Sequence, residues 1–162
     1  MGRETERKFL VKRQFFHPIS QGVRYLQGYL STVPERVVRV RVVGDRGYLT
    51  IKGLTVAASR LEYEYTIPAG EAEEMLKLLC LRPILEKIRY REEADGRIWE
   101  VDEFFGENQG LIVAEIELRD ASQAITLPAW IGTEVTGDPR YFNSALVEKP
   151  FKSWNESGGK IC

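Results

Sequence analysis

Histidine and cysteine are nearly absent from this chain: His17 is the single histidine among 162 residues, and Cys80 and Cys162 are the two thiols. One thiol falls inside an expected helix and the other is the last residue, so neither a disulfide framework nor a cysteine-rich zinc site is indicated. A reducing cytoplasm is the expected setting. His17 stands beside Pro18 without a partner at ligand spacing, and no role follows for it. A basic excess is lacking too: 23 Lys and Arg against 24 Asp and Glu leave a formal net charge of -1. That balance argues against a general nucleic-acid binder. No apolar run approaches the roughly 18 residues of a membrane span, and the opening MGRETERKFLV has no apolar signal core. Neither membrane insertion nor secretion is expected, and any anion site must come from local arrangement.

What the chain does contain is alternation. Glu4-x-Glu6-x-Lys8 opens the pattern, and Arg39-x-Arg41, Thr50-x-Lys52, Glu62-x-Glu64, Lys87-x-Arg89, Glu100-x-Asp102 and Glu115-x-Glu117 repeat it. Successive strand side chains point to opposite faces, so each segment puts its charges on one face and its Val, Ile, Leu, Tyr or Phe on the other. The pattern predicts eight strands, at 3–11, 24–32, 36–43, 46–53, 59–67, 84–93, 97–104 and 111–118. Gly44-Asp45-Arg46-Gly47 and Ala94-Asp95-Gly96 separate neighbours by hairpin-like turns, which makes those pairs antiparallel. The small, flexible segment at 53–59 is expected as a loop at a tunnel mouth.

Pro68–Leu79 reads as a helix, with early acids facing the positive end of the dipole and Met75, Leu76, Leu78 and Leu79 as its apolar stripe. Asp120 is expected to cap a short helix, and Asn143–Glu148 suggests another. Residues 1–150 are read as one domain and 151–162 as a disordered tail.

A single strand of this kind usually turns its charges to water. Here nearly every strand repeats the pattern, and Glu62-x-Glu64 and Glu115-x-Glu117 are same-sign pairs. The apolar partners are bulky and successive, as in Val38, Val40, Val42 and Leu61, Tyr63, Tyr65, and need covering. The expected fold is therefore α+β: a closed eight-stranded antiparallel barrel with a charged, hydrated interior and helices packed outside. Water is required because desolvating each unpaired ion costs several kcal/mol.

Glu4-x-Glu6-x-Lys8, within ETERKFLV, resembles the N-terminal signature of the CYTH family, also called the triphosphate tunnel metalloenzymes. The resemblance runs over about residues 3–149, through QGYL at 27–30, RVR at 39–41, LTIKG at 49–53, RLEYEYTI at 60–67, EKIRYR at 86–91, EVDEF at 100–104, AEIEL at 114–118 and VTGDPRYFNSALV at 135–147. Thr5 departs from it, standing where an apolar residue is common. The resemblance implies an eight-stranded tunnel that takes a small triphosphate with Mg²⁺ or Mn²⁺, two ions per site, and it is strongest to short bacterial members, including those that hydrolyse inorganic tripolyphosphate. Adenylate cyclase, thiamine triphosphatase and a non-catalytic polyphosphate sensor stand as alternatives. A homodimer is allowed for, and neither nucleic acid nor membrane is called on as a partner.

Position by position, the resemblance gives Lys8, Arg39, Arg41, Lys52, Lys87 and Arg89 to phosphate oxygens, with Arg140 reaching one tunnel mouth. Asp102, Glu115 and Glu117 are expected on the metal that bridges protein and triphosphate, since hard cations prefer oxygen. Glu4 and Glu6 are expected on a second metal that positions the attacking water, with Glu62 and Glu64 completing either shell. Lys87 and Tyr29 are expected near the leaving oxygen.

Overall fold

The computed structural model describes residues 2–120 and 122–157. Nine strands are present among them: β1 (Arg3–Val11), β2 (Val23–Ser31), β3 (Val37–Val43), β4 (Arg46–Lys52), β5 (Ser59–Ile67), β6 (Leu85–Ala94), β7 (Arg97–Phe104), β8 (Ile112–Glu117) and β9 (Ile131–Glu134). The first eight fall where alternation puts them, within one residue at either end. Gly44, at φ +60°, opens the β3–β4 turn, while Asp95 and Gly96, at φ +53° and +72°, make the β6–β7 turn. Positive φ at both central residues suits the right-handed twist of paired strands.

All pairings between named strands are antiparallel, in the order β5-β4-β3-β2-β6-β7-β8-β1, and β5 returns to β1 to close an eight-stranded ring. The closing seam is short: Arg3 pairs with Leu61, Glu4 with Arg60 and Thr5 with Ser59. A hydrogen bond of 2.6 Å joins the Thr5 and Ser59 hydroxyls there, so the departure at Thr5 has a packing role on the seam. Beyond Thr5 the same edge of β1 turns to β9. That ninth strand, Ile-Gly-Thr-Glu, is too short to show alternation.

Side chains of the charged parity fill one end of the ring with apolar matter. Leu10, Tyr29, Val37, Leu85, Phe104 and Val113 pack there with Tyr141, Leu146, Val147 and Phe151. The latter group comes from a 3₁₀ turn at Pro139–Tyr141, helix α2 (Asn143–Glu148) and a 3₁₀ segment at Phe151–Ser157. The C-terminal segments therefore stop one end of the barrel instead of covering its wall. Phe151 is buried and its amide donates to Asn108 Oδ1 at 2.8 Å, so the expected tail begins as packed structure. Residues 158–162 of that tail lie outside the described residues.

Outside the ring, helix α1 (Ala69–Leu78) packs Ala72 and Leu76 on Val40 and Val42. Gly47 permits this approach, because a Cβ there would lie 2.8 Å from that of Ala72. The wall made by Phe9, Trp99, Val101, Ala114 and Ile116 is covered by loop residues Phe16, Ile125 and Trp130, not by a helix. Leu61, Tyr63 and Tyr65 remain 45%, 48% and 55% exposed, contrary to the expectation of cover. The expected helix after Asp120 is absent from the described residues. Asp120 Oδ1 instead accepts from the Ser122 amide at 2.9 Å in a local turn. Irregular chain follows, since β-branched Ile125 and Thr126 and then Pro128 give no helical stripe.

Candidate active site

Closure of the ring turns the charged parity inward around a cavity of about 210 Å³. Glu4, Glu6, Lys8, Tyr29, Arg39, Arg41, Lys52, Glu62, Glu64, Lys87, Arg89, Glu115 and Glu117 all line it. Thirteen expected residues, from seven strands, thus meet in one place.

Cations dominate the wall made by β3 and β6. Arg41 Nε and Nη2 donate to the amide oxygen of Gln27 at 3.0 and 2.9 Å, and the guanidinium lies 4.8 Å from the Tyr25 ring. Burial, Arg39 and Arg89 all pull Arg41 down from the usual guanidinium range. Arg39 Nη2 donates to Thr50 at 3.1 Å and meets Glu64 at 3.4 Å, while its buried Nε has no partner. Lys87 is buried, and its ammonium donates to Asp102 at 2.7 Å and to Asn143 at 2.9 Å. Burial holds Lys87 well below the usual lysine range despite Asp102. A crowd of desolvated cations with an orphaned donor is a site in which an incoming anion relieves strain.

Acids gather where β1 meets β8. Register sets Glu6 opposite Glu117 and Lys8 opposite Glu115. Burial, Glu115 and Glu4 raise Glu6 well above the usual carboxylate range. Glu115 itself is held well below that range, since Lys8, Glu6 and Arg89 outweigh the cost of burial. Lys8 Nζ is also anchored on the Tyr141 carbonyl at 3.1 Å. Glu117 is raised by burial and by Glu4, Glu62 and Glu100. Glu4 and Glu62 each meet Lys52 at 3.3 Å, and burial, helped by Arg39, nevertheless lowers Lys52.

Two expected residues are placed elsewhere. Asp102 is outside the cavity lining, with both oxygens taken by Lys87 and by Arg89 at 2.7 and 2.9 Å. It anchors two cations. Arg140 is exposed, pairs with Asp138 at 2.8 Å and lies over the Tyr141 and Trp154 rings. It does not enter the tunnel. Arg60 comes in instead, donating to Glu4 at 3.2 Å and lying 5.6 Å from the Phe142 ring.

Across the seam, a small cleft lined by Glu4, Lys8, Arg60 and Ala57 leads toward an apolar groove of about 850 Å³ bordered by Leu54, Val37 and Phe142. The 53–59 segment thus flanks an opening, as the sequence suggested.

The model of the CYTH domain matches residues 2–143, which include every strand of the barrel. The chain belongs to the CYTH family. Divalent-metal dependence goes with that family. A curated inorganic triphosphatase of Acetivibrio thermocellus is 53% identical over 96% of this chain and all of its own length. Another, from Nitrosomonas europaea, is 38% identical over 89% of this chain and 96% of its own. A crystal structure of an inorganic triphosphatase superposes with a TM-score of 0.65 at 35% identity, covering 89% of this chain and 97% of that one.

The CYTH donor set suits a hard cation. Among the described residues no group of three His, Cys, Asp or Glu side chains is placed to hold a metal. Glu6 and Glu115, both half-buried, nonetheless bring two carboxyl groups to the same wall of the cavity. Mg²⁺ is commonly bound by one or two carboxylates, with waters and substrate phosphates completing its shell. Arg60, Glu100, Asn143 and Ser144 also line the cavity and were absent from the expected set. Arg60 and Glu100 could have been found, for they share the strand parity of Glu62 and Asp102. Asn143 and Ser144 come from α2, outside any alternation.

Proposed function

We propose that this CYTH chain is a divalent-metal-dependent triphosphatase that hydrolyses inorganic tripolyphosphate in the bore of its barrel. The observation that carries the reading is the division of one small cavity into two walls: arginines with unspent charge or donors, and carboxylates crowded enough that their acidic neighbours raise Glu6 and Glu117. A metal-bound triphosphate complements both walls at once.

Arg39, Arg41 and Arg89 would hold phosphate oxygens by guanidinium forks, and Lys8, Lys52 and Lys87 by compact charge. Glu6 and Glu115 would seat one Mg²⁺ or Mn²⁺, and Glu117, raised by its acidic neighbours Glu62 and Glu100, would offer oxygen to a second. Bound there, such ions neutralise phosphate charge and lower the pKa of a coordinated water. Hydrolysis is an in-line displacement in which water oxygen bonds to a terminal phosphorus, that phosphorus parts from the bridging oxygen, and diphosphate leaves. Lys87 stabilises the departing oxygen with the proton not given to Asp102 or Asn143. Tyr29 Oη accepts from Gln27 at 3.2 Å, which keeps its own hydrogen for the bore. No covalent nucleophile is needed; positioning and charge do the catalysis.

The reading calls for a small triphosphate alone, with no nucleic acid or membrane, and the described residues contain no helix long and apolar enough to cross one. Pairing of two copies is allowed by the bare outer face of β5. To test the activity, pure protein is incubated with Mg²⁺ or Mn²⁺ and, separately, tripolyphosphate, ATP and thiamine triphosphate, and phosphate, pyrophosphate and cyclic AMP are measured. Tripolyphosphate should be the best substrate, yielding phosphate and pyrophosphate. Cyclic AMP and pyrophosphate from ATP, with tripolyphosphate untouched, would overturn the reading.

A further inference from the structure

Two neutral amides stand where the basic wall has no acid. Gln27 is fully buried; its Oε1 accepts from both Arg41 nitrogens, and its Nε2 donates to Asn143 Oδ1 at 2.9 Å. The same Asn143 oxygen accepts from Lys87 Nζ at 2.9 Å. One carbonyl oxygen at the start of α2 therefore ties the ammonium of β6 to the amide of β2, and through it to the guanidinium of β3.

The choice of amide over acid has an electrostatic consequence. Arg39 meets Glu64, and Lys87 and Arg89 share Asp102, whereas Arg41 makes no ion pair among the described residues. A carboxylate in place of Gln27 would grip the same fork but cancel its charge. An amide fixes direction and leaves charge unspent. The Tyr25 ring, within 5.8 Å of Arg41, Lys87 and Arg89, offers its negative face to all three and adds no formal charge.

We propose that Gln27 and Asn143 are positioning residues, an amide relay that aims Arg41 and Lys87 into the bore, leaving the Arg41 charge unpaired for the triphosphate and adding no second acid to Lys87 beside Asp102. The proposal rests on the triphosphatase reading above. It also makes docking of α2, whose Leu146 and Val147 lie in the apolar stopper, part of assembling the phosphate site.

The test uses near-isosteric acids. Gln27→Glu keeps the acceptor for Arg41, and Asn143→Asp keeps the acceptor for Lys87, but each adds a negative charge. Tripolyphosphate binding is measured by isothermal titration without metal, steady-state kinetics with Mg²⁺ alongside it, and unfolding midpoints in urea. Each variant should bind tripolyphosphate about tenfold or more weakly, the worth of roughly one charge-assisted contact. KM should rise more than kcat falls, with the midpoint unchanged or higher. A purely structural role predicts the reverse: Gln27→Ala and Asn143→Ala lose stability, and the acids restore wild-type affinity. Wild-type binding by both acid variants would overturn the relay. Should Gln27→Glu fail to fold, Asn143→Asp, at a half-buried position, decides by the same criterion. Wild-type protein that neither binds nor hydrolyses tripolyphosphate overturns the triphosphatase reading and the relay together, whereas normal wild-type behaviour with indifferent acid variants removes the relay alone.

Discussion

Glu6 on β1 and Glu115 on β8 line the same wall of the bore from adjacent strands, with Glu6 raised well above the usual carboxylate range by burial, Glu115 and Glu4, and Glu115 held well below it by Lys8. Two neighbouring acids with their pKa values driven apart are a natural seat for a divalent cation. Glu6→Gln and Glu115→Gln should each weaken Mn²⁺ binding at least about tenfold and nearly abolish turnover at saturating substrate. The Glu6→Gln unfolding midpoint should stay near wild type, because burial already disfavours a charge there, whereas Glu115→Gln also loses the Lys8 ion pair and should be less stable. Normal turnover in either variant would remove that residue from the metal seat.

Arg39 and Arg41 should govern capture. Replacing either with Ala removes a fork that no carboxylate fully neutralises, so KM for tripolyphosphate should rise about 10- to 100-fold with a smaller fall in kcat. Steady-state kinetics over a wide substrate range check this. Unchanged KM would contradict the assignment.

Asp102 should matter first for stability. Its two oxygens hold Lys87 and Arg89, and these cations outweigh burial to keep it well below the usual carboxylate range. Asp102→Asn strands two buried cations and should cost about 3–5 kcal/mol in urea unfolding. A loss of metal affinity with stability intact would instead return Asp102 to the metal shell.

Glu92 should confer a pH-dependent hold on the loop before β2. Its carboxylate accepts from the Ile19 and Ser20 amides at 2.8 Å each, and these bonds outweigh burial to lower its pKa. Because the folded value lies below the ordinary 4.5, the contribution is complete above that pH and disappears as pH falls through the folded value. Glu92→Gln should cost about 1 kcal/mol at pH 7 and flatten the acid limb of the stability curve. An unchanged acid limb would argue against the clasp.

Arg60 and Arg140 exchange expectations. Arg140 lies outside the tunnel on Asp138, while Arg60 reaches Glu4 within it. Arg140→Ala should leave triphosphate kinetics within about twofold, and Arg60→Ala should shift them by about tenfold or more. The same kinetic assay ranks the two, and the opposite ranking would restore Arg140 to the site.

The barrel was legible because the side-chain period of a strand is two, and the strand segments kept most of their charge on one parity and most of their grease on the other. The same parity delivered the lining residues without knowledge of which strands pair. It failed where other physics decides. Asp102 has the inward parity of Glu100, but pairing of β6 with β7 sets it against Arg89, and its oxygens are taken up by two cations outside the cavity lining. Arg140 sits in a 3₁₀ turn, where no alternation tells inside from outside. Asn143 enters the bore from α2, which docks through long-range contacts with no local sequence signal. Cover over β5 was inferred from greasy residues alone, and within this chain Tyr63 and Tyr65 receive none.

The most direct measurement is anomalous diffraction from crystals grown with Mn²⁺ and tripolyphosphate. A manganese peak beside Glu6 and Glu115, with phosphate oxygens within hydrogen-bond distance of Arg39 Nε and the Arg41 fork, is the predicted result. Manganese and phosphate bound only outside the barrel, with the bore empty, would contradict the account.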